Sequence, residues 1–590
     1  MTRSSVAGVV VVLFCTILTV SQSMSAQAPS TQPPSNPAPQ NQRPAPPDAA
    51  AQPLPAAVSF DQVIDRTIER EHFFVAQMKQ LHPLVETYLQ NVKEDKELGA
   101  LVPTSDVYFL GRLDMSRGEP DDRTFNSPST GSVGRRMLGK LSNKLFNMYL
   151  PLGFAQMAIL DEDFQRKYYD FTFVRREFLG EVRCIVVDVA PKKVAGGGRF
   201  VGRVWIEDQA YNIVRFNGIY SAHSRNGYYL HFDSWRQNLR PGVWLPAEIY
   251  SEESDVKSFL GHSLSYKAQT RLWGYNLKDF SRKSEFTEIT VDAPQPVQDQ
   301  SQKAQDSSPI EAQRAWERQA EINVLDRLEQ IGLLAPEGDV DKVLQTVVNN
   351  VMVTNNLDIP DVHCRVLMTT PLESFTLGRT IVVSRGMIDV LPDEASLAMI
   401  LSHELAHVVL GHHLNTSLAF NDRMFFPDER TFERLDFARD RAEEEAADKK
   451  AIELLNHSPY KDKLSSAGLF LKAVQARAPQ LRNLIRPHLG DSLLNGDATR
   501  MSSLMTSSPQ FDPKKLDQVA ALPLGGRVKV DPWNDRLELI QAKPVAITAA
   551  SEKMPFEVTP FFPFLTRIES QPPEKTAPTS ASEKTSPSVP

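Results

Sequence analysis

The spacing of apolar positions changes along the chain. From residue 60 to about 93, Val63, Ile64, Ile68, Phe73, Phe74 and Met78 recur at helical intervals, which predicts one long helix. Beyond it come short β-branched or aromatic runs at residues 169–174, 184–189, 200–206, 213–216, 228–232 and 247–250, bounded by Gly, Pro and Asn. They predict an antiparallel, strongly curved sheet. From about residue 310 to 522 the helical period returns, with one strand candidate at Ile381-Val382-Val383. The expected fold class is multidomain: an N-terminal α+β unit built on a curved antiparallel half-barrel sheet, then a mainly α unit with a small sheet.

Composition divides the chain further. A length of 590 residues exceeds what one core organises, and 42 prolines mark linkers. Residues 1–28 read as a signal peptide. Arg3 precedes a mostly apolar run at 6–20, and Ala26-Gln27-Ala28 offers a small-residue cleavage site. That run falls short of the roughly 20 residues a bilayer span needs. Residues 29–57 are a Pro-rich disordered linker, 58–293 the sheet domain, 294–309 a polar linker, and 310–523 the helical domain. A C-terminal extension at 524–567, with Trp533 and Phe561-Phe562 as packing anchors, and a disordered tail at 568–590 complete the plan. The expected location is outside the cytoplasm: exported, periplasmic or associated with the cell envelope, and soluble after cleavage. A net charge of −8 and a pI near 5.9, with no local basic motif, argue against nucleic acid as a partner. Cys184 and Cys364 fall in different expected domains, so no disulfide framework is indicated.

The chemistry lies in the helical region. A predicted helix around residues 391–414 carries His403-Glu404-Leu405-Ala406-His407. Histidines at i and i+4 stand one turn apart on one face, so both imidazoles can reach one Zn²⁺. Glu404, beside the first histidine, is placed to take a proton from water rather than to bind the metal. A second, acidic helix follows at residues 440–448. A glutamate there, such as Glu444, would complete a His₂Glu ligand set, while the other glutamates of the Glu443-Glu444-Glu445 run form a solvated face. His412 and His413, after Gly411, read as structural groups at a helix C-terminus, and Arg441 as an ion-pair partner of the acidic helix.

His403-Glu404-Leu405-Ala406-His407 with His412, the preceding Thr380-Ile381-Val382-Val383-Ser384-Arg385-Gly386, and the following Arg441, Glu444, Ala447 and Asp448 resemble the CAAX prenyl endopeptidases and their HtpX-like bacterial relatives, the gluzincins of metallopeptidase family 48. The resemblance implies His403, His407 and Glu444 as ligands of one zinc per chain, Glu404 as general base, and Asp448 as a carboxylate orienting a ligand histidine. It implies no other cofactor. Two departures stand out: Glu373-Ser374-Phe375 replaces the family's Asn-Ala-Phe, and residues 494–500 lack the histidine of its downstream element, which leaves Arg500 or His488 for the transition state. The order of Gly202-Arg203-Val204-Trp205-Ile206, Ile213-Val214-Arg215 and Val243-Trp244-Leu245-Pro246 resembles lipoprotein-carrier and lipoprotein-sorting half-barrels, which implies a concave apolar face for a lipid or lipoprotein ligand.

The function expected from these features is an exported zinc metalloendopeptidase acting on protein or peptide substrates, misfolded or misassembled envelope proteins among them. The strand at residues 380–384 is the expected site for substrate to pair by β-addition. Two alternatives stand beside it: an envelope chaperone or assembly factor binding lipidated or extended clients, and a self-inhibited peptidase blocked by the sheet domain or the segment after Pro523.

Overall fold

The computed structural model describes residues 57, 59–96, 100–113, 154, 157–160, 163–196, 199–220, 230–257, 263–277, 309–412, 437–487, 489–495, 498–512, 528–531, 536–539 and 565–568. The leader at 1–28, nearly all of the linkers at 29–57 and 294–309, nearly all of the tail at 568–590, and His413, His488, Trp533, Phe561 and Phe562 lie outside the described residues.

Helix α1 (Phe60–Leu81) opens on Ser59, whose hydroxyl accepts from the Gln62 N–H at 3.3 Å. It stops before the helical spacing runs out. His82 takes a left-handed φ of 35° and Pro83 follows, so the helix cannot continue. The rest of the expected helix is strand β1 (Leu84–Asp95). Leu84 and Tyr88 join one core and Val85 and Leu89 another, and all four are buried, as are Glu86 and Thr87 between them. A strand covered on both faces has no polar side, and so shows no alternation from which to read it.

Strands β2 (Ala100–Arg112), β3 (Tyr169–Leu179), β4 (Val182–Pro191), β5 (Phe200–Glu207), β6 (Ile213–Tyr220), β7 (Phe232–Arg240), β8 (Val243–Lys257) and β9 (Ser263–Trp273) join β1 in one nine-stranded antiparallel sheet. Its order is β2-β1-β9-β8-β7-β6-β5-β4-β3. One face receives α1, whose Ile64, Phe74 and Met78 share a core with Phe200, Phe216 and Phe232. In that core Glu71 and Arg236 form a bidentate pair at 2.6 and 2.8 Å, so neither charge is left unpartnered. Across β4 to β8 on the other face, Trp205, Trp235 and Trp244 pack with Leu565 from the far end of the chain.

The region after residue 309 comprises α2 (Pro309–Ile331), α3 (Asp339–Thr354), β10 (His363–Leu367), β11 (Ser374–Leu377), β12 (Thr380–Ser384), α4 (Arg385–Val390), α5 (Glu394–Leu410), α6 (Arg441–Asn456), α7 (Leu464–Arg477), α8 (Arg482–Ile485), the two-residue strands β13 (Leu494–Asn495) and β14 (Ala498–Thr499), and α9 (Ser503–Thr506). A hairpin of β15 (Val528–Asp531) and β16 (Arg536–Leu539) follows in the C-terminal extension. Strand β12 lies in the middle of the sheet β10-β12-β11, parallel to β10 and antiparallel to β11. This corrects the expectation that it receives substrate: its backbone groups are committed on both sides, and β10 and β11 are the edges.

The polar linker does not separate two cores. Leu84, Tyr88, Tyr108, Leu110 and Tyr250 of the large sheet belong to the same buried cluster as Leu333, Leu367, Leu372, Met399, Leu401 and Leu484. Buried polar contacts cross the seam as well. Glu86 accepts from the Thr370 N–H at 2.6 Å, from the Thr370 hydroxyl at 2.9 Å and from the Arg271 guanidinium. Asp106 accepts from the Asn483 and Leu484 N–H groups at 3.0 and 2.8 Å, at the start of α8.

Candidate metal centre

Helix α5 carries the two histidines through the middle of the shared core. Asp393 caps it, accepting from the Ser396 N–H at 2.8 Å, and Gly411 ends it with a φ of 69° that suits glycine. His403, Glu404 and His407 are completely buried. Helix α6 packs against α5 through the buried Ala447 and Ala451, whose small side chains permit a close approach. Glu444 and Asp448 occupy that same face at helical spacing, so both carboxylates reach the histidines.

The result is a convergent donor set. His403 Nε2 and His407 Nε2 lie 3.0 Å apart, Glu444 Oε2 is 3.4 Å from the first, and Glu444 Oε1 is 3.2 Å from the second. One ligand atom from each of His403, His407 and Glu444 fits within 4.8 Å of the others. Asp448 stands behind His403, with Oδ1 3.0 Å from Nδ1 and Oδ2 accepting from the Met501 N–H at 2.8 Å. Two unprotonated ring nitrogens and a carboxylate facing one another suit a small divalent cation, and the His₂Glu donor set suits zinc.

Glu404 is turned away from this set. Its carboxylate accepts from the Ser374 hydroxyl at 2.7 Å and from the Thr376 hydroxyl at 2.8 Å, both on β11. Arg500 bridges the two acids: its guanidinium donates to Glu444 Oε2 at 3.0 Å and approaches Glu404 Oε1 to 3.5 Å. Burial acts to raise the pKa of both carboxyls. For Glu404 the neighbouring His403, Arg500 and His407 outweigh burial, and for Glu444 Arg500 and the two histidines do, so both stand below the usual range. Burial acts to depress both imidazoles. It prevails at His407, whereas contacts with Asp448 and Glu444 hold His403 above its ordinary value.

Each residue singled out for the metal from sequence, His403, His407, Glu444 and Asp448, is in this cluster, with Glu404 beside it. Arg441 instead makes the surface pair with Glu445 at 2.9 Å. Sequence reasoning missed Thr376, Arg439 and Asp491. The Ser374 carbonyl accepts from the Asp491 N–H at 3.0 Å, and the Thr376 carbonyl accepts from the Arg439 guanidinium at 3.0 Å. Asp491 Oδ1 in turn accepts from the Arg439 N–H at 2.7 Å. Burial, with Glu444 and Glu404 nearby, pushes the Asp491 carboxyl up to about 7. Gly490 makes the covering loop possible, because a Cβ there would meet the Ser374 carbonyl oxygen at 2.5 Å. Nothing in the periodicity marks these residues, which come together only when the chain between 437 and 491 folds back on β11.

Comparison with known proteins agrees with this picture for the C-terminal half. No curated protein matches the chain. The crystal structure of a DUF1329 family protein from Desulfovibrio piger ATCC 29098 aligns with 36% of this chain and 90% of its own at 10% identity, but with a TM-score of 0.18 it carries no argument about fold or function. Residues 339–427 match the family model described as Peptidase family M48. That segment holds His403, Glu404 and His407, while Glu444, Asp448 and Arg500 follow it. The matched segment and the cluster it feeds lie in one fold, so what this part of the C-terminal half is similar to is peptidase family M48.

Proposed function

We propose that the protein is an exported zinc-dependent metalloendopeptidase that cleaves misfolded or misassembled proteins of the cell envelope, with Glu404 as general base. The observation that carries this reading is the division of labour among buried groups. His403, His407 and Glu444 converge, while Glu404 is held out of their set by two hydroxyls. Zinc bound there supplies Lewis acidity toward the scissile carbonyl and the attacking water. Glu404 takes the proton from that water and returns it to the leaving amine nitrogen. Ser374 and Thr376 fix the orientation of its carboxylate. Arg500 brings positive charge to the oxygen that becomes negative.

Export rests on the leader sequence. Among the described residues no helix is long and apolar enough to cross a membrane. The preference for unfolded substrates rests on β11, because pairing along a strand edge reads backbone rather than side chains. A lipid ligand for the large sheet receives less support, since α1 fills the face where one would lie.

The test is elemental analysis of the purified chain with casein hydrolysis followed in parallel. About one zinc per chain is expected, lost or weakened together with hydrolysis in His403→Ala and Glu444→Ala. A chain with neither metal nor hydrolysis refutes the proposal.

A second reading, a self-inhibited form, is favoured by one observation. The Ser374 and Thr376 carbonyls are engaged by Asp491 and Arg439, so an incoming substrate strand meets an edge that is already capped. The cap comes from within the peptidase region rather than from the large sheet. Arg439→Ala is expected to lower KM for casein about tenfold, the worth of a hydrogen bond to a charged donor, with kcat little changed. A rise in KM means that Arg439 binds substrate instead.

A further inference from the structure

The two ligand histidines differ in what stands behind them. A neutral imidazole that presents Nε2 to a metal carries its proton on Nδ1, and whatever accepts that proton fixes the ring's tautomer and rotation. Behind His403 stands the Asp448 carboxylate, with Oδ1 3.0 Å from Nδ1. Behind His407 it is another imidazole: His412 Nδ1 lies 2.8 Å from His407 Nδ1, with the ring centroids 5.0 Å apart and the planes at 62°. The approach is built into the backbone. Gly411, in its left-handed conformation, turns the chain at the end of α5, and the His412 N–H donates to the His407 carbonyl at 3.0 Å. His412 is thereby returned over the last turn of the helix, beside the ring it faces.

We infer that His412 is a positioning residue for the metal site. It accepts the Nδ1 proton of His407 through its own unprotonated Nδ1 and so holds Nε2 of His407 toward His403 and Glu444. This rests on the zinc reading above and replaces the role of a helix-end group expected from sequence. The geometry further requires His412 to carry its proton on Nε2. His412 touches neither substrate nor metal in this role, and its contribution reaches the reaction through the affinity and orientation of His407.

The test compares zinc affinity, by competition with a chromogenic chelator, for the full-length parent, His412→Phe and His412→Asn. The phenylalanine keeps the ring and removes the acceptor, whereas the asparagine restores an acceptor oxygen near the Nδ1 position. Zinc affinity is expected to fall by about 10- to 100-fold in His412→Phe and to recover most of that loss in His412→Asn. At saturating zinc, KM for casein should be unchanged and kcat lowered. If the phenylalanine variant does not fold, His412→Lys, which offers only a donor, replaces it with the same expected loss. Parental affinity in the acceptor-free variant, or an equal loss in His412→Asn, overturns the assignment. A parent chain that binds no zinc refutes the metal reading itself, a different outcome from a zinc-binding parent whose variants bind equally well.

Discussion

Replacing Glu404 by glutamine is expected to lower kcat for casein hydrolysis by about 10²- to 10⁴-fold, the usual contribution of a positioned general base, while zinc content and thermal stability stay near those of the parent. The separation of effects follows from the geometry. Glu404 is fully buried and belongs to β11 rather than to the donor set, because its two oxygens accept from Ser374 and Thr376. Glutamine has the same shape, and a hydroxyl facing its new amide can turn to accept instead of donate. What the amide cannot do is take a proton from water. Arg500 loses one anionic neighbour but keeps Glu444 at 3.0 Å, so its charge stays partnered. Kinetics on casein, metal analysis and a melting curve on the same sample check the prediction. Hydrolysis within tenfold of the parent removes Glu404 from the mechanism, and simultaneous loss of zinc makes it a ligand. The variant also decides between peptidase and chaperone, since suppression of client aggregation without cleavage is expected to persist in Glu404→Gln only if binding is the protein's task.

What the sequence made legible follows from what the chemistry requires locally. Two histidines one turn apart and a glutamate between them must sit on one helix, so the motif and its element are read together. Glu444 could be offered because a catalytic zinc wants a third ligand and an acidic helix follows, whereas Asp448 came only from the resemblance to a known family; the buried Ala447 and Ala451 then let that helix come close. The contacts that orient these groups arise from chain reversal instead. Thr376 reaches Glu404 across 28 residues, Arg500 reaches Glu444 across 56, and no period links them. Strand β1 was hidden for another reason. Buried on both faces, it looks like the continuation of an apolar helix, and only Pro83 signals the break. The small sheet was underread because β10 and β11 are only five and four residues long, too short for periodicity to act, whereas the β-branched run of β12 announces itself.

A chain beginning at residue 309 is expected not to fold into an active peptidase, although a polar linker makes that the natural place to cut. The large sheet completes the peptidase core. Removing it strips Leu84, Tyr88, Tyr108, Leu110 and Tyr250 from the cluster that contains Met399 and Leu401 of the histidine helix. Each lost contact with a fully buried apolar side chain costs on the order of 1.5–3 kcal/mol, and a domain's whole stability is about 5–15 kcal/mol. The polar seam makes the loss worse. Without Glu86 the Thr370 N–H and hydroxyl lose their acceptor, and without Asp106 the first N–H groups of α8 lose theirs. Thr370 leads directly into β11, and α8 leads into the loop that carries Asp491, so the disturbance arrives at the two segments around Glu404. The expected result is a fragment without a cooperative melting transition and without casein hydrolysis at any zinc concentration, beside a stable full-length chain. Asp106→Ala in the full chain gives the graded version: a loss of about 1–3 kcal/mol for the orphaned N–H groups, read by denaturant unfolding. A fragment from residue 309 that melts cooperatively and cleaves casein faster than the full chain overturns this account, and makes the large sheet a cover on the peptidase rather than part of its core.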